Sequence, residues 1–343
     1  MKKVVTFGEI MLRLAPHGYE RFVQASSFGA TYGGGEANVA ISLANYGLDA
    51  AFVTKLPKHE IGQAAVNSLR RFGVDTNKIV RGGDRVGIYF LEKGSNQRAS
   101  KVVYDRANSA ISTAKPEDFD WNAIFDGVDW FHFTGITPAL GKTVADICLD
   151  ALKVAKEKGI TVSCDLNYRK NLWTKAEAQE TMTKLMPYVN VIVANEEDSA
   201  DVFGITSEGT DVTSGHLNHD GYKSVAKQLA DKFDIDIVTI TLRESLSANH
   251  NDWSAMLYDK KSGDALFSKK YQIKNIVDRV GGGDSFGGGL IYGLLSGLSQ
   301  QEALEFAVAA SCLKHTIEGD FNLVTVPEVK SLLGGDGSGR VQR

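Results

Sequence analysis

The sequence predicts an α/β protein: a mainly parallel sheet covered by helices on both faces, with a second, small β-sheet standing beside it. Three observations predict it. Short β-branched runs alternate with longer segments of helical spacing, the pattern of parallel strands joined by helical crossovers. The chain has 343 residues, 43% hydrophobic and 23% charged, enough for one large domain or two ordinary ones around a large core. Two stretches break the alternation and read instead as exposed strands.

The buried-strand runs are Val4 to Phe7, Ala51 to Thr54, Trp130 to Phe133, Thr161 to Asp165, Val189 to Ala194 and Ile235 to Leu242. Helical spacing marks Asn38 to Tyr46, Gly62 to Phe72, Lys142 to Lys158, Lys175 to Met186 and Ser224 to Phe233. Residues 12–33 carry no good helix signal, and 81–106 read as two strands joined by a polar turn. Together these two segments predict a small sheet suited to a lid or a dimer surface. The alternative is a pair of decorated surface loops. SAMLYD and ALFSKKYQI predict antiparallel strands, followed by a helix from about Ser285 and another from Gln300 to about Thr316. One domain over residues 1–330 is expected, with the glycine-rich residues 334–343 as a disordered tail.

Net charge is −4, which gives no electrostatic reason to expect nucleic acid or an anionic membrane as partner. Cys148, Cys164 and Cys312 are scattered and form no CxxC pair, so neither a disulfide framework nor a structural zinc site is expected. Glu9 and Arg13 interrupt the apolar start, so no signal peptide is read, and no apolar run reaches membrane-spanning length. A cytoplasmic setting follows as the expectation. His132, on an apolar strand, reads as a hydrogen-bonded core residue rather than a metal ligand.

The chemistry concentrates in VGGGDSFGGG, residues 280–289. Gly281, Gly282 and Gly283 allow a turn whose successive N–H groups converge on an anion, and a helix starting there adds the positive end of its dipole. Such a turn suits a transferring phosphoryl group. Asp284 beside it would accept the proton of an attacking hydroxyl. A plain helix cap explains an aspartate there equally well.

Two other glycine-rich stretches fail their motifs. GITPALGKT, residues 135–143, has five residues between its first glycine and GKT where a P-loop needs four. Gly33, Gly34 and Gly35 precede a helix without the spacing of a dinucleotide fingerprint.

DRVGGGDSFGGG, from Asp278, resembles the C-terminal signature of the ribokinase-like (PfkB) carbohydrate kinases, and YGGGEANVA, from Tyr32, resembles their N-terminal signature. Within that family, FGEIMLRLAP, GIYFLE, VVYDRANSAI and DLNYRKNLW resemble 2-keto-3-deoxygluconate kinases. The resemblance implies a ribokinase-like three-layer α/β/α sandwich with a β-sheet lid. It implies Asp284 as catalytic base and Gly281, Gly282 and Gly283 as anion hole. Gly34, Gly35, Asn38, Tyr89, Tyr104, Arg106 and Arg169 would meet the sugar, and Asn195, Thr241, Arg243 and Gly283 the nucleotide. VANEED resembles the family's NxxE element with Asp198 at its last position, so Asp198, or Glu197, would act on magnesium through water. An acidic helix N-terminus is the simpler account of those residues.

ATP and Mg²⁺ are the implied cofactors, and a homodimer or higher homo-oligomer through the lid the implied assembly. Some relatives bind a monovalent cation near the glycine turn. Arg279 and Val280 depart from the usual threonines there, which leaves that cation open. The adenine is expected against the helix Phe306 to Leu313, with Val308 at a position that is often asparagine. An acidic substrate is favoured because Arg106 and Arg169 could each grip a carboxylate with paired hydrogen bonds, although a structural ion pair is an even alternative for either. The neighbouring reading is a kinase for fructose or another sugar on the same machinery.

Overall fold

Alternate residues of the central strands enter opposite cores. On Lys3–Phe7, Val5 and Phe7 join one apolar cluster and Val4 the other. On Trp130–Thr134, Phe131 and Phe133 go one way and Trp130 the other. This period of two buries both faces of the sheet, so helices must cover both.

The computed structural model describes residues 1–195, 197–206, 219–337 and 339. The strands of the large sheet lie in the order Asp49–Val53, Lys3–Phe7, Trp130–Thr134, Thr161–Asp165, Val191–Asn195, Ile237–Ser247, His250–Asp259 and Ala265–Phe267, with Tyr271–Lys274 also paired to His250–Asp259. The first six are parallel, and the last three join antiparallel. Helices Lys142–Glu157, Lys175–Leu185 and His219–Phe233 cover one face. Helices Gly35–Asn45, Gly282–Leu295 and Gln300–Lys314 cover the other. The result is a three-layer α/β/α sandwich, as the pattern predicts.

Four further strands form a separate sheet in the order Gly29–Gly33, Met11–Ala15, Ile88–Glu92, Lys101–Asp105. A distinct small sheet is therefore present, rather than decorated loops. Its outer strand Lys101–Asp105 is exposed along its whole length.

Some boundaries differ from expectation. The last parallel strand runs on to Ser247 because the hairpin with His250–Asp259 supplies a partner beyond Leu242. Both glycine-led helices start earlier than side-chain periodicity suggests, at Gly35 and Gly282. Glycines carry no apolar signal, so the first turn of each was invisible to a pattern of hydrophobic spacing. The later glycines of GGGDSFGGG serve packing instead. A Cβ on Gly289 would stand 2.8 Å from the Cα of Ala307, so this glycine lets Gly282–Leu295 lie close against Gln300–Lys314. Of the expected disordered tail, residues 338 and 340–343 lie outside the described residues.

Successive strands leave the first strand in opposite directions, to Asp49–Val53 on one side and Trp130–Thr134 on the other. The carboxyl ends beside such a reversal form a crevice that commonly binds ligands in open α/β sheets.

Candidate active site

That crevice is a cavity of about 500 Å³ between the two sheets. Its walls bring together Gly34, Gly35, Asn38, Tyr89, Tyr104, Arg106, Asp165, Arg169, Asn195, Asp198, Thr241, Arg243 and the turn Gly281 to Asp284. The candidates for the sugar and the phosphoryl group thus line one hollow, together with Asn195, Asp198, Thr241 and Arg243, whereas Glu197 and the helix expected at the adenine do not. A wider, more open hollow of about 1000 Å³ adjoins it through Tyr104, Arg106 and Arg169.

The glycine turn leaves backbone donors open to the cavity. Gly281 caps the helix with φ 81°, in the left-handed region where a side chain is strained. A Cβ there would also overlap the carbonyl of Asp320. Gly282 N–H donates to the Arg279 carbonyl at 3.3 Å and Ser285 N–H to the Gly281 carbonyl at 2.8 Å. The N–H groups of Gly281, Gly283 and Asp284 donate to no acceptor among the described residues. Free donors at a helix N-terminus are what an anion requires. A Cβ on Gly283 would meet no atom within 4 Å, so the space in front of this turn is open.

Asp284 faces the amino end of a second helix. Asn38 donates from Nδ2 to Asp284 Oδ2 at 2.7 Å, while its Oδ1 accepts from Gly34 N–H at 3.3 Å. The second bond fixes which end of the amide meets the carboxylate. Gly34 is needed for space, since a Cβ there would overlap the Glu9 carbonyl. Burial pushes the Asp284 pKa up to about 6; the Asn38 bond opposes this, Asp320 and Glu36 reinforce it, and Arg169 opposes it. A carboxylate so tuned is ionised at neutral pH yet basic enough to take a proton.

The arginines divide sharply. Arg106 reaches the cavity wall, but its guanidinium is paired with buried Glu9 through Nε at 2.8 Å and through a second nitrogen. Arg13 is 2% exposed and held by Asp278 at 2.5 Å and Asp320 at 2.7 Å. Burial alone would lower its pKa, but Asp320 and Asp278 raise it. Tyr89, expected at the sugar, donates its hydroxyl to Asp320 at 2.6 Å. Its ring lies 6.2 Å from that of Tyr104, which is exposed. Arg169 differs: it donates to the Tyr168 carbonyl at 3.1 Å and forms no ion pair among the described residues.

On the other side, Arg243 and Arg279 also lack carboxylate partners among the described residues. Arg279 donates to the carbonyls of Ser247 and Ala248 and to Asn251, and burial, then Arg243, lowers its pKa. Two neighbouring cations without counter-charge fit the phosphates of a nucleotide. Val308, by contrast, is fully buried in the core, and the helix Gln300–Lys314 does not line the cavity.

Asn195 and Asp198 form a reciprocal turn. Asn195 Oδ1 accepts from the N–H of Glu197 and Asp198, and Asp198 accepts from the N–H of Asn195 and Tyr168. Asp198 is buried with both oxygens engaged, whereas Glu197 is exposed on the outer hollow. Sequence reasoning passed over Asp165, Asn167, Arg279 and Asp320, which also line the cavity. Asp165 ends a buried strand, and its pKa is raised well above the usual range by burial, then by Asp198 and Asp284. An acidic residue closing an apolar run was the available signal. His132 is a core residue as expected: its Nδ1 meets Ser163 Oγ at 2.8 Å and burial pushes its pKa down to about 3.

Residues 1–323 match the pfkB family of carbohydrate kinases. The chain belongs to that family. The kinase is 33% identical to a 2-dehydro-3-deoxygalactonokinase of Haloferax volcanii over 98% of each chain. It is 28% identical to a 2-dehydro-3-deoxygluconokinase of Bacillus subtilis over 93% of this chain and 91% of the relative. Among solved structures, the 2-dehydro-3-deoxygluconokinase of Thermotoga maritima superimposes with a TM-score of 0.94 at 58% identity, covering 98% of this chain and 100% of the other. The fold of this kinase is accordingly ribokinase-like. No helix among the described residues is long and apolar enough to cross a membrane.

Proposed function

We propose that this kinase transfers the γ-phosphoryl group of ATP to the 6-hydroxyl of 2-keto-3-deoxygluconate. The observation that carries the acidic substrate is Arg169. Of the three arginines on the sugar side, Arg13 and Arg106 are neutralised within the protein, and Arg169 alone is left facing the hollow that holds Asp284. A sugar carboxylate there would give Arg169 the direct ion pair that Asp165, Asp198 and Asp284, which act on it only through space, do not form. The names of three similar proteins, kinases of 3-deoxy keto acids, support the same reading, and further relatives at 24–27% identity are named 5-dehydro-2-deoxygluconokinases, also kinases of a deoxy keto acid.

In this reading Asn38 orients Asp284, and Asp284 takes the proton of the 6-hydroxyl as that oxygen attacks phosphorus. The N–H groups of Gly281, Gly283 and Asp284 stabilise the charge gathering on the transferring group. Thr241, Arg243 and Arg279 hold the nucleotide. No cluster of three or more acidic, histidine or cysteine side chains among the described residues forms a metal cage. Mg²⁺ would therefore travel on the nucleotide phosphates, with Asp165 and Asp198 acting on its water shell and neutralising phosphate charge its contribution. The small sheet, with Tyr104 over the cavity, closes on the sugar and excludes water. It also offers its bare outer strand as a dimer surface.

A second reading is that the kinase accepts the galactonate-derived epimer, as its Haloferax volcanii relative is named to do. Phosphorus NMR of the product made from each acid tests both, by showing whether phosphate sits on the terminal carbon. Phosphate on any other carbon would overturn the assignment of the 6-hydroxyl.

A further inference from the structure

Behind the glycine turn lies a cation that the phosphoryl-transfer scheme does not use. Lys314 closes the helix Gln300–Lys314 and is fully buried. Its ammonium donates to the carbonyls of Gly319 at 2.6 Å, Asp278 at 3.3 Å and Ile317 at 3.4 Å. Three carbonyl acceptors match the three protons of an ammonium; a neutral amine has only two to give. A cluster of main-chain carbonyls is also how proteins replace the hydration shell of potassium.

The three carbonyls come from two segments that meet at the turn. Asp278 precedes Gly281 by three residues. Residues 317–320 run directly behind it: the Asp320 carbonyl leaves no room for a Cβ on Gly281, and that Cβ would lie 3.4 Å from Lys314 Cε. The Asp278 side chain ties the same segments together, accepting from Val280 N–H and Gly319 N–H at 3.1 Å each. Arg13 completes the group, so two cations meet two carboxylates with no excess charge. Through Arg13 and Tyr89 the group reaches two strands of the small sheet.

We propose that the Lys314 ammonium is a resident cation of the phosphoryl-binding turn, holding Gly281 to Asp284 in place as a bound potassium ion would, so that turnover requires no free monovalent cation. Lys314 is a positioning residue: it acts through the turn and touches no substrate.

The test compares ADP formation from 2-keto-3-deoxygluconate and ATP in tetramethylammonium buffer with the same buffer containing potassium. Wild-type rates should agree within about twofold, and a wild-type requirement for potassium overturns the proposal. Lys314→Ala should lose about tenfold or more in kcat with a smaller change in KM, and potassium or ammonium should restore most of the loss while lithium does not. A Lys314→Ala enzyme that is fully active without such cations, or that is inactive and indifferent to them, overturns it.

Crystals soaked in thallium(I) read the cage without any sugar. The wild type should show no anomalous peak among the three carbonyls, and a peak there overturns the proposal even if Lys314→Ala does not fold. A kinase that ignores this particular acid would bear on the substrate alone, since the proposal rests only on the turn serving phosphoryl transfer.

Discussion

At neutral pH the Asp284 carboxylate is ionised where ionisation is disfavoured, because burial pushes its pKa up to about 6 against an ordinary value of 3.8. The sign follows from linkage. Below the ordinary value both folded and unfolded states hold the proton and nothing is lost; as pH rises through about 6 the folded state alone resists ionising, and stability falls. Asp284→Asn should therefore raise the melting temperature at pH 7, by a free energy on the order of 1–2 kcal/mol after allowing for solvent screening. The same change should lower kcat by roughly 10²–10⁴. An equally stable and near-fully active variant would remove Asp284 from the base role. In the wild type, kcat/KM should fall as pH drops through about 6, since the base must be unprotonated to act. Arg169→Ala should raise KM for the sugar acid by about 10–100-fold, the worth of a charge-assisted hydrogen bond, while leaving KM for ATP nearly unchanged. GGGD was legible because turn chemistry is local, whereas Gly34 and Asn38 were reached only through the family resemblance, which gave no sign that Asn38 bonds Asp284. That Arg106 spends its charge on Glu9, and Tyr89 its hydroxyl on Asp320, was not legible, because a side chain's choice among distant carboxylates is made by tertiary packing.

The turn and the helix it opens, Gly282–Leu295, contain glycines with different jobs. At Gly281 an alanine would be strained by the positive φ and would strike the Asp320 carbonyl, so Gly281→Ala should cost about 1–3 kcal/mol of stability as well as turnover. At Gly283 an alanine meets nothing in the protein, so Gly283→Ala should melt at or above the wild-type temperature. It should nevertheless lose turnover, because the methyl group enters the space where the proposed phosphoryl group would sit. Melting curves and kcat for the pair check this; equal losses of both quantities in the two variants would contradict the division. Strand runs were readable from β-branched composition. The glycine-led first turns were not, since the residues that make them useful to an anion are those with no side chain to show periodicity.

Across the molecule, two signatures from opposite ends of the chain meet at one sheet crevice, which is why alternation of strand and helix was enough to predict the layers but not their joints. The joint made by Arg13, Asp278 and Asp320 spans most of the sequence, and no spacing rule connects its members. The small sheet leaves Val102, Val103 and Tyr104 exposed at 41%, 52% and 40% on its open edge. Such an edge invites pairing. Val103→Glu should convert the proposed dimer to a monomer in light scattering; a wild type that is already monomeric would exclude assembly through this strand.

The most direct measurement is ADP formation by the purified kinase with magnesium and ATP, offered 2-keto-3-deoxygluconate, its galactonate-derived epimer, fructose, ribose and gluconate in turn. Arg169 facing Asp284 across one hollow predicts strong turnover on the 3-deoxy keto acids and little on the neutral sugars. Preference for fructose or ribose would leave the fold and Asp284 in place and contradict the reading of Arg169 as the carboxylate's partner.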